Sequence, residues 1–299
     1  MAGISTAGVE FSRDLMRYAE VEQHDGHLKL LRLGNCEFEF DAEAVLFEGK
    51  EPALLDAIRD AMRDIFRDTE ATGFRFVIPS RWQTRFTTAV PMEADVNLRS
   101  SLIGYETRLF TENREGGDIF PAHLRSNPDS GAQMFAVSHI DDAVSTSVKA
   151  LHSVFPESSF ELAPSMMAAT LAFRHVAHRR QLPSSHYLLV GAGTGHTDYI
   201  LMKGAEPLTQ ESVNVSLPRD QAYRALLCSS RHGISWQDIK RVFVYGSPSE
   251  DALLTALKEA FGPSVERINP GVVVGLEADH FGDSFPIEAF LPVMGAAIQ

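Results

Sequence analysis

The sequence predicts an α/β protein of two similar lobes with a small inserted subdomain. The order strand–strand–strand–helix–strand–helix occurs twice, and the second copy begins about 180 residues after the first. Hydrophobic residues make up 44% of the 299 residues and charged residues 22%. This is an ordinary globular balance, and it argues against a disordered or coiled-coil chain.

The first copy opens with three short strands, which are separated by Arg13-Asp14 and by the hairpin dipeptide Asp25-Gly26. Apolar residues at three- and four-residue spacing then predict a long helix, which we expect Gly73 to end. A buried strand follows and stops at Pro79. The predicted strands and helix of this copy cover 7–11, 15–21, 27–33, 52–71 and 74–78.

The second copy repeats this order, and a helix predicted at 166–178 joins it to the first. Its elements are predicted at 186–190, 197–202, 208–215, 219–231, 242–245, 249–261 and 287–298. An insert at about 81–160 is expected to contain strand 84–90, helix 94–110, an exposed loop 116–130, strand 134–138 and helix 141–155. The first lobe would therefore span 1–163 and the second 164–299, and the helix at 287–298 can return to the first lobe.

Charge and cysteine content narrow the function class. The chain has 27 Lys and Arg against 40 Asp and Glu, a net charge of −13 without a basic patch, which argues against nucleic-acid binding. Two cysteines cannot form a disulfide framework or a cysteine-based metal site. No run of 18 apolar residues occurs, so we expect a cytoplasmic protein that meets a membrane only through a partner. The sequence does not determine whether the chain forms a homo-oligomer.

One glycine-rich turn stands directly after a predicted strand. It consists of Gly191, Ala192, Gly193, Thr194 and Gly195. Backbone N–H groups in such a turn can approach a phosphate closely, although a glycine-rich hairpin turn without a ligand is equally typical. The segment after the turn reads as another strand rather than a helix, which disfavours a nicotinamide-binding motif.

This turn resembles the second phosphate loop of the actin/Hsp70/sugar-kinase superfamily. The strand that ends in Gly246-Ser247 is similar to the adenosine-binding segment of that superfamily, and Glu10 and Ser12 occupy the positions of its first phosphate loop. Phe76-Val77-Ile78-Pro79-Ser80, together with an insert helix that carries Tyr105-Glu106, resembles the PilM family of type IV pilus assembly proteins. The resemblance covers nearly the whole chain and implies a two-lobed actin-like ATPase fold.

The departures from the superfamily pattern concern the nucleotide. Phe11-Ser12-Arg13-Asp14 contains no glycine, Leu189 stands where the resemblance implies a Mg²⁺-orienting aspartate, and Ala163 stands where an acidic residue often positions the attacking water. Phosphoryl transfer depends on a positioned metal and on charge stabilisation. We therefore expect ATP and Mg²⁺ binding to be weak or lost, without meaningful ATPase activity. An altered register around Gly195 would let His196 and Asp198 compensate.

The resemblance also implies a partner. PilM-like proteins bind a short cytoplasmic segment of a single-pass membrane protein, PilN, so this chain is expected to be a scaffold peripheral to the inner membrane. Ile103, Tyr105 and Glu106 of the insert helix are the candidate partner-binding residues, with ordinary lobe packing as the competing interpretation. Two alternatives remain: an active ATP-dependent enzyme of the same superfamily, and a scaffold of a type II secretion system similar to GspL.

Overall fold

The first lobe is built on a five-stranded sheet. Its strands are β1 (Ile4–Ser12), β2 (Leu15–His24), β3 (His27–Glu37), β4 (Gly73–Ile78) and β8 (Ser159–Pro164). Their order is β3-β2-β1-β4-β8, with antiparallel hairpins on one side and parallel pairing of β1, β4 and β8 on the other. The computed structural model describes residues 4–49, 51–69, 71–112, 116–127, 130–246, 251–276, 280–282 and 285–298.

The second lobe contains a sheet of the same design. Its strands are β9 (His186–Ala192), β10 (Thr197–Lys203), β11 (Glu206–Val213), β12 (Ile239–Gly246) and β13 (Val265–Arg267). The order β11-β10-β9-β12-β13 matches that of the first lobe strand for strand, with the same mixture of antiparallel and parallel pairs. The duplicated lobe predicted from the sequence is therefore confirmed.

Helices cover both sheets. These helices are α1 (Ala42–Phe47), α2 (Leu55–Ile65), α4 (Asp142–Lys149), α5 (Ser165–Arg179), α6 (Pro218–Arg231), α7 (Asp251–Phe261) and α8 (Leu291–Ala297). Two of them, α5 and α8, lie between the lobes. α5 and α8 pack against each other, and α8 also contacts β1, β2 and β4 of the first lobe. One apolar cluster accordingly runs from Val21 and Val77, through these two helices, to Leu189 and Phe243.

The inserted region forms a small sheet of its own. It consists of β5 (Gln83–Pro91), α3 (Val96–Phe110), β6 (Asp118–Asn127) and β7 (Ala132–Ile140). The strand order is β5-β7-β6, all antiparallel. α3 covers one face of this sheet, where Ile103 packs with Val90, Phe135, Val137 and Phe86.

Several sequence-based boundaries differ from the structure. The helix predicted at 52–71 is a 3-10 turn at Pro52–Leu54 followed by α2, which ends at Ile65, and Gly73 begins β4 rather than ending a helix. The predicted loop 116–130 contains β6, so that prediction is wrong. The sequence also missed α1 and β8. The boundary between the lobes at residues 163 and 164 stays a prediction. Across the described ranges, no helix has the length and apolar character needed to cross a membrane.

Candidate functional site

The two predicted phosphate loops, one at Ser12 and one at the glycine-rich turn of Thr194, meet in the cleft between the lobes. The hairpin β1–β2 presents Ser12, and the hairpin β9–β10 presents Thr194. Their hydroxyl oxygens lie 3.4 Å apart, across 182 residues of sequence. The structure therefore brings the two predicted loops together, but in direct contact with each other.

The duplicated fold identifies equivalent positions in the two hairpins. Glu10 pairs with Arg17 across its hairpin and with Val77 of the parallel strand. Gly191 pairs in the same way with Asp198 and with Tyr245. Gly191 is thus the counterpart of Glu10 in the second lobe, and the placement of Leu189 at the Mg²⁺-orienting position stays a prediction.

An aromatic ring occupies the space that a side chain at Gly191 would need. A Cβ built on Gly191 would overlap the phenol ring of Tyr245, which is buried in the cleft. Burial, and then the charge of Asp198, raise the pKa of the Tyr245 hydroxyl well above its usual value. A side chain at position 191 would therefore collide with the neutral ring of Tyr245.

Asp198 is held by two serines from distant parts of the chain. Ser80 Oγ donates to Asp198 Oδ2 over 2.9 Å, and Ser165 Oγ lies 3.4 Å from the same oxygen. Asp198 Oδ1 is buried, accepts no hydrogen bond from the described residues, and lies 4.0 Å from His196 Nε2. This cluster joins the start of the insert, the start of α5 and the second lobe.

On the first-lobe side of the cleft, two carboxylates are paired with arginines. Glu10 lies 3.5 Å from Arg17, and burial raises the pKa of the Glu10 carboxyl despite the opposing effect of this arginine. Glu43 of α1, which is almost fully buried, contacts Arg81 and accepts a hydrogen bond from the indole N–H of Trp82. Both carboxylates are therefore engaged by protein groups at the positions facing the second lobe.

The space that remains between the two loops is small. The cavity lined by Glu10, Ser12, Thr194 and Tyr245 has a volume of about 40 Å³, which accommodates only a few water molecules. The Gly193 N–H, which could face a phosphate, donates to the carbonyl of His196. Within the part of the chain that the structure describes, no group of three or more His, Cys, Asp or Glu side chains could hold a metal ion.

The other predicted site residues have distinct positions. Ala192 and Gly246 end the paired strands β9 and β12, where a Cβ on Gly246 would overlap the Ala192 carbonyl. Gly195 has a φ of 74° and completes the turn after Thr194. Ser247 lies outside the described residues.

Of the three candidate partner-binding residues, one cannot reach a surface. Ile103 is buried on the inner face of α3, so its assignment to a partner surface is wrong, and the competing interpretation as lobe packing holds for this residue. Tyr105 is 62% exposed on the outer face, and Glu106 is half-buried. Spacing alone could not separate the two faces, because α3 carries apolar residues on both.

The fold defines the class of protein: the chain has the two-lobed actin-like ATPase fold. No protein-family model matches the chain, and no curated protein sequence does. Among solved structures, a PilM-PilN type IV pilus biogenesis complex is 15% identical and covers 98% of this chain and 97% of its own, with a TM-score of 0.75. The chain is therefore PilM-like in fold, including the insert.

Two further solved structures match the chain with lower scores. A Bacteroides thetaiotaomicron protein with an actin-like ATPase fold and unknown function is 14% identical and covers 91% of this chain and 96% of its own, with a TM-score of 0.52. The cytoplasmic domain of EpsL, an inner membrane component of the type II secretion system of Vibrio cholerae, is 11% identical, with 95% of this chain and 97% of its own covered. Its TM-score of 0.45 is too low to indicate a shared role.

Proposed function

We propose that this chain is a scaffold of a type IV pilus, or related, assembly machine, and that it binds a short cytoplasmic segment of a PilN-like inner-membrane partner. The observation that carries this proposal is the whole-length likeness to a PilM-PilN complex, which extends through the inserted subdomain. The scaffold would lie in the cytoplasm, at the inner membrane, through that partner. Its net charge of −13 would steer basic residues of the partner segment toward it.

The outer face of α3 is the docking surface that we propose for the partner segment. Tyr105 and Leu109 are both more than half exposed there, and Leu98 precedes them at helical spacing on the same face. Phe110 and Val96 extend the apolar surface at the two ends of the helix. Exposed apolar side chains in such a contiguous row are typical of a protein-binding surface.

Tyr105→Asp is expected to weaken binding of the partner segment by about tenfold or more, because an exposed aromatic anchor is replaced by a charge. The measurement is fluorescence anisotropy with a labelled peptide, namely the cytoplasmic segment of a PilN-like single-pass membrane protein from the same organism. Tyr223→Asp on α6 is the matched control, since Tyr223 is 59% exposed. Unchanged affinity in Tyr105→Asp, or an equal loss in both variants, would contradict the proposed surface.

We also propose that ATP binding is weak or lost in this scaffold. The contact between Ser12 and Thr194, the ring of Tyr245 beside Gly191 and the small cavity at the loops all support this. An active ATP-dependent enzyme would need a carboxylate free to orient Mg²⁺, whereas Glu10 is paired with Arg17 and one oxygen of Asp198 accepts a hydrogen bond from Ser80. The cleft would then serve to hold the lobes together rather than to hydrolyse nucleotide.

Titration of the purified protein with MgATP in a calorimeter is expected to show no saturable heat, which corresponds to a Kd above about 1 mM. Tyr245→Ala is the informative variant, because it removes the ring that fills the space beside Gly191. Nucleotide binding that appears only in Tyr245→Ala would support a blocked cleft. Tight binding by the unmodified protein, with Mg²⁺-dependent hydrolysis that Glu10→Ala abolishes, would refute the proposal.

A further inference from the structure

A second, larger groove lies between the inserted sheet and the second lobe, beside the place where β6 contacts β11. Its volume is about 550 Å³. Arg81, Gln83, Arg85 and Phe86 line it on the side of the insert, and the consecutive residues 210–214 together with Arg231 line it on the side of the second lobe. β5 and β11 are each the outermost strand of their sheet, and no other described strand pairs with their outer edges. Successive side chains of a strand point to opposite faces of its sheet, so a groove on one face would be lined by every second residue. The consecutive residues 210–214 all line this groove, which therefore runs along the backbone edge of β11.

Arg85 is the cation of this groove that lacks a counter-ion. Arg81 is paired with Glu43, and Arg231 with Glu211, but within the described ranges no carboxylate lies within 4.0 Å of the Arg85 guanidinium. Its contacts are neutral: Ser138 Oγ at 3.2 Å, Gln210 Oε1 at 3.0 Å and Met166 Sδ at 3.0 Å.

Burial makes this lack of an anion costly. Desolvation lowers the pKa of Arg85, and the charge of Asp198 offsets this only in part. A partly desolvated guanidinium gains most from a carboxylate that can accept two of its N–H groups.

An acceptor in the same groove also has no partner. Gln83 Oε1 is buried and accepts no hydrogen bond from any described residue, whereas its Nε2 donates to the carbonyl of Ile78. A buried acceptor without a donor costs free energy unless a ligand or a water molecule supplies one. A backbone N–H of a bound peptide is such a donor.

We propose that this groove binds an extended peptide segment that carries an acidic side chain. The peptide backbone would add a strand to β11 along the part that lines the groove, Gln210–Val213, beyond the contact of β11 with β6. Its carboxylate would pair with Arg85, and one of its N–H groups would donate to Gln83 Oε1. Strand addition supplies the affinity through main-chain hydrogen bonds, and Arg85 supplies the preference for an acidic residue. The groove and the α3 surface adjoin at Phe86, which lines the groove and stacks on Phe110. Arg85 is not on α3, and Tyr105 and Leu109 do not line the groove, so Arg85→Gln and Tyr105→Asp test the two sites separately.

The test begins with a phage-displayed library of random hexapeptides selected on the full-length protein. We expect the selected peptides to share an aspartate or glutamate within a strand-forming sequence. By fluorescence anisotropy, replacing that acid with its amide, or using the Arg85→Gln protein, should weaken binding by about tenfold or more. Arg108→Gln on the exposed part of α3 is the control and should leave the affinity unchanged.

Hydrogen exchange on the unmodified protein gives an independent readout that does not depend on a variant folding correctly. A saturating selected peptide should slow exchange of the β11 amides within Gln210–Val213, which line the groove, and leave those of α3 unchanged. The proposal is overturned if no acidic peptides are enriched, if Arg85→Gln binds the selected peptides as tightly as the unmodified protein, or if β11 gains no protection.

Discussion

Replacing Gly295 with alanine is expected to lower the free energy of unfolding by about 3 kcal/mol, because the added methyl group has no room. Gly295 lies in α8 where this helix crosses α5, and its Cβ would overlap the backbone carbonyl of Ala168. A backbone atom cannot rotate away as a flexible side chain can. The two helices would have to separate, and their separation would disturb the apolar cluster between the lobes.

The opposite side of α8 makes a second contact of the same kind. A Cβ on Gly8 of β1 would overlap the Val293 carbonyl of α8. The helix is thus held at backbone distance from α5 on one side and from the first-lobe sheet on the other. This close packing explains why a short helix of seven residues can join the lobes.

Gly104→Ala provides the matched control, since Gly104 is also helical but a Cβ there has no heavy atom within 4 Å. That variant should gain up to about 1 kcal/mol from the higher helix propensity of alanine. Urea unfolding followed by circular dichroism measures both variants under the same conditions. If Gly295→Ala were neutral or stabilising, the close packing of α8 against α5 would be wrong.

The sequence carried enough information for the fold because the repeated strand order is a local pattern. The elements that it missed have specific physical causes. β6 contains Pro121 and several turn-forming residues, which suggested a loop. As the outermost strand of the order β5-β7-β6, however, β6 can tolerate a residue without an N–H.

The site was less predictable, because its contacts join residues that are far apart in the chain. The loop at Thr194 could be found from its glycine pattern, and the loop at Ser12 from the position of Glu10 and Ser12 in the superfamily resemblance. The bond between Ser80 and Asp198 spans 118 residues, and no local pattern indicates it. The ring of Tyr245 appeared in the sequence only as part of an apolar strand, so its place beside Gly191 required the structure.

Glu43→Gln is expected to lower the free energy of unfolding by about 3–5 kcal/mol, which is typical when one partner of a buried ion pair loses its charge. Glu43 is only 1% exposed, and its two oxygens accept four hydrogen bonds or ionic contacts. Arg81 contacts both oxygens, at 2.7 and 2.5 Å, and Trp82 Nε1 donates over 2.6 Å. The Arg13 N–H donates over 2.9 Å.

The amide of glutamine cannot replace these acceptors. One of its two polar atoms is a donor, which would face another donor from Arg81, Trp82 or Arg13 and leave the guanidinium of Arg81 without a counter-charge. The loss would extend beyond the pair, since Arg13 is in the β1–β2 turn with a φ of 55°. Glu43 therefore fixes both this strained turn and the point where the chain leaves the first lobe for the insert.

Asp60→Asn in the exposed pair with Arg63 is the control, and it should change stability by less than about 0.5 kcal/mol. Urea unfolding of both variants at neutral pH gives the comparison. A Glu43→Gln protein as stable as the Asp60→Asn protein would show that the Glu43 contacts are not formed. A large loss in Glu43→Gln alone would instead identify this buried carboxylate as the main polar support of the first loop, since surface pairs on α2 contribute little by the same measure.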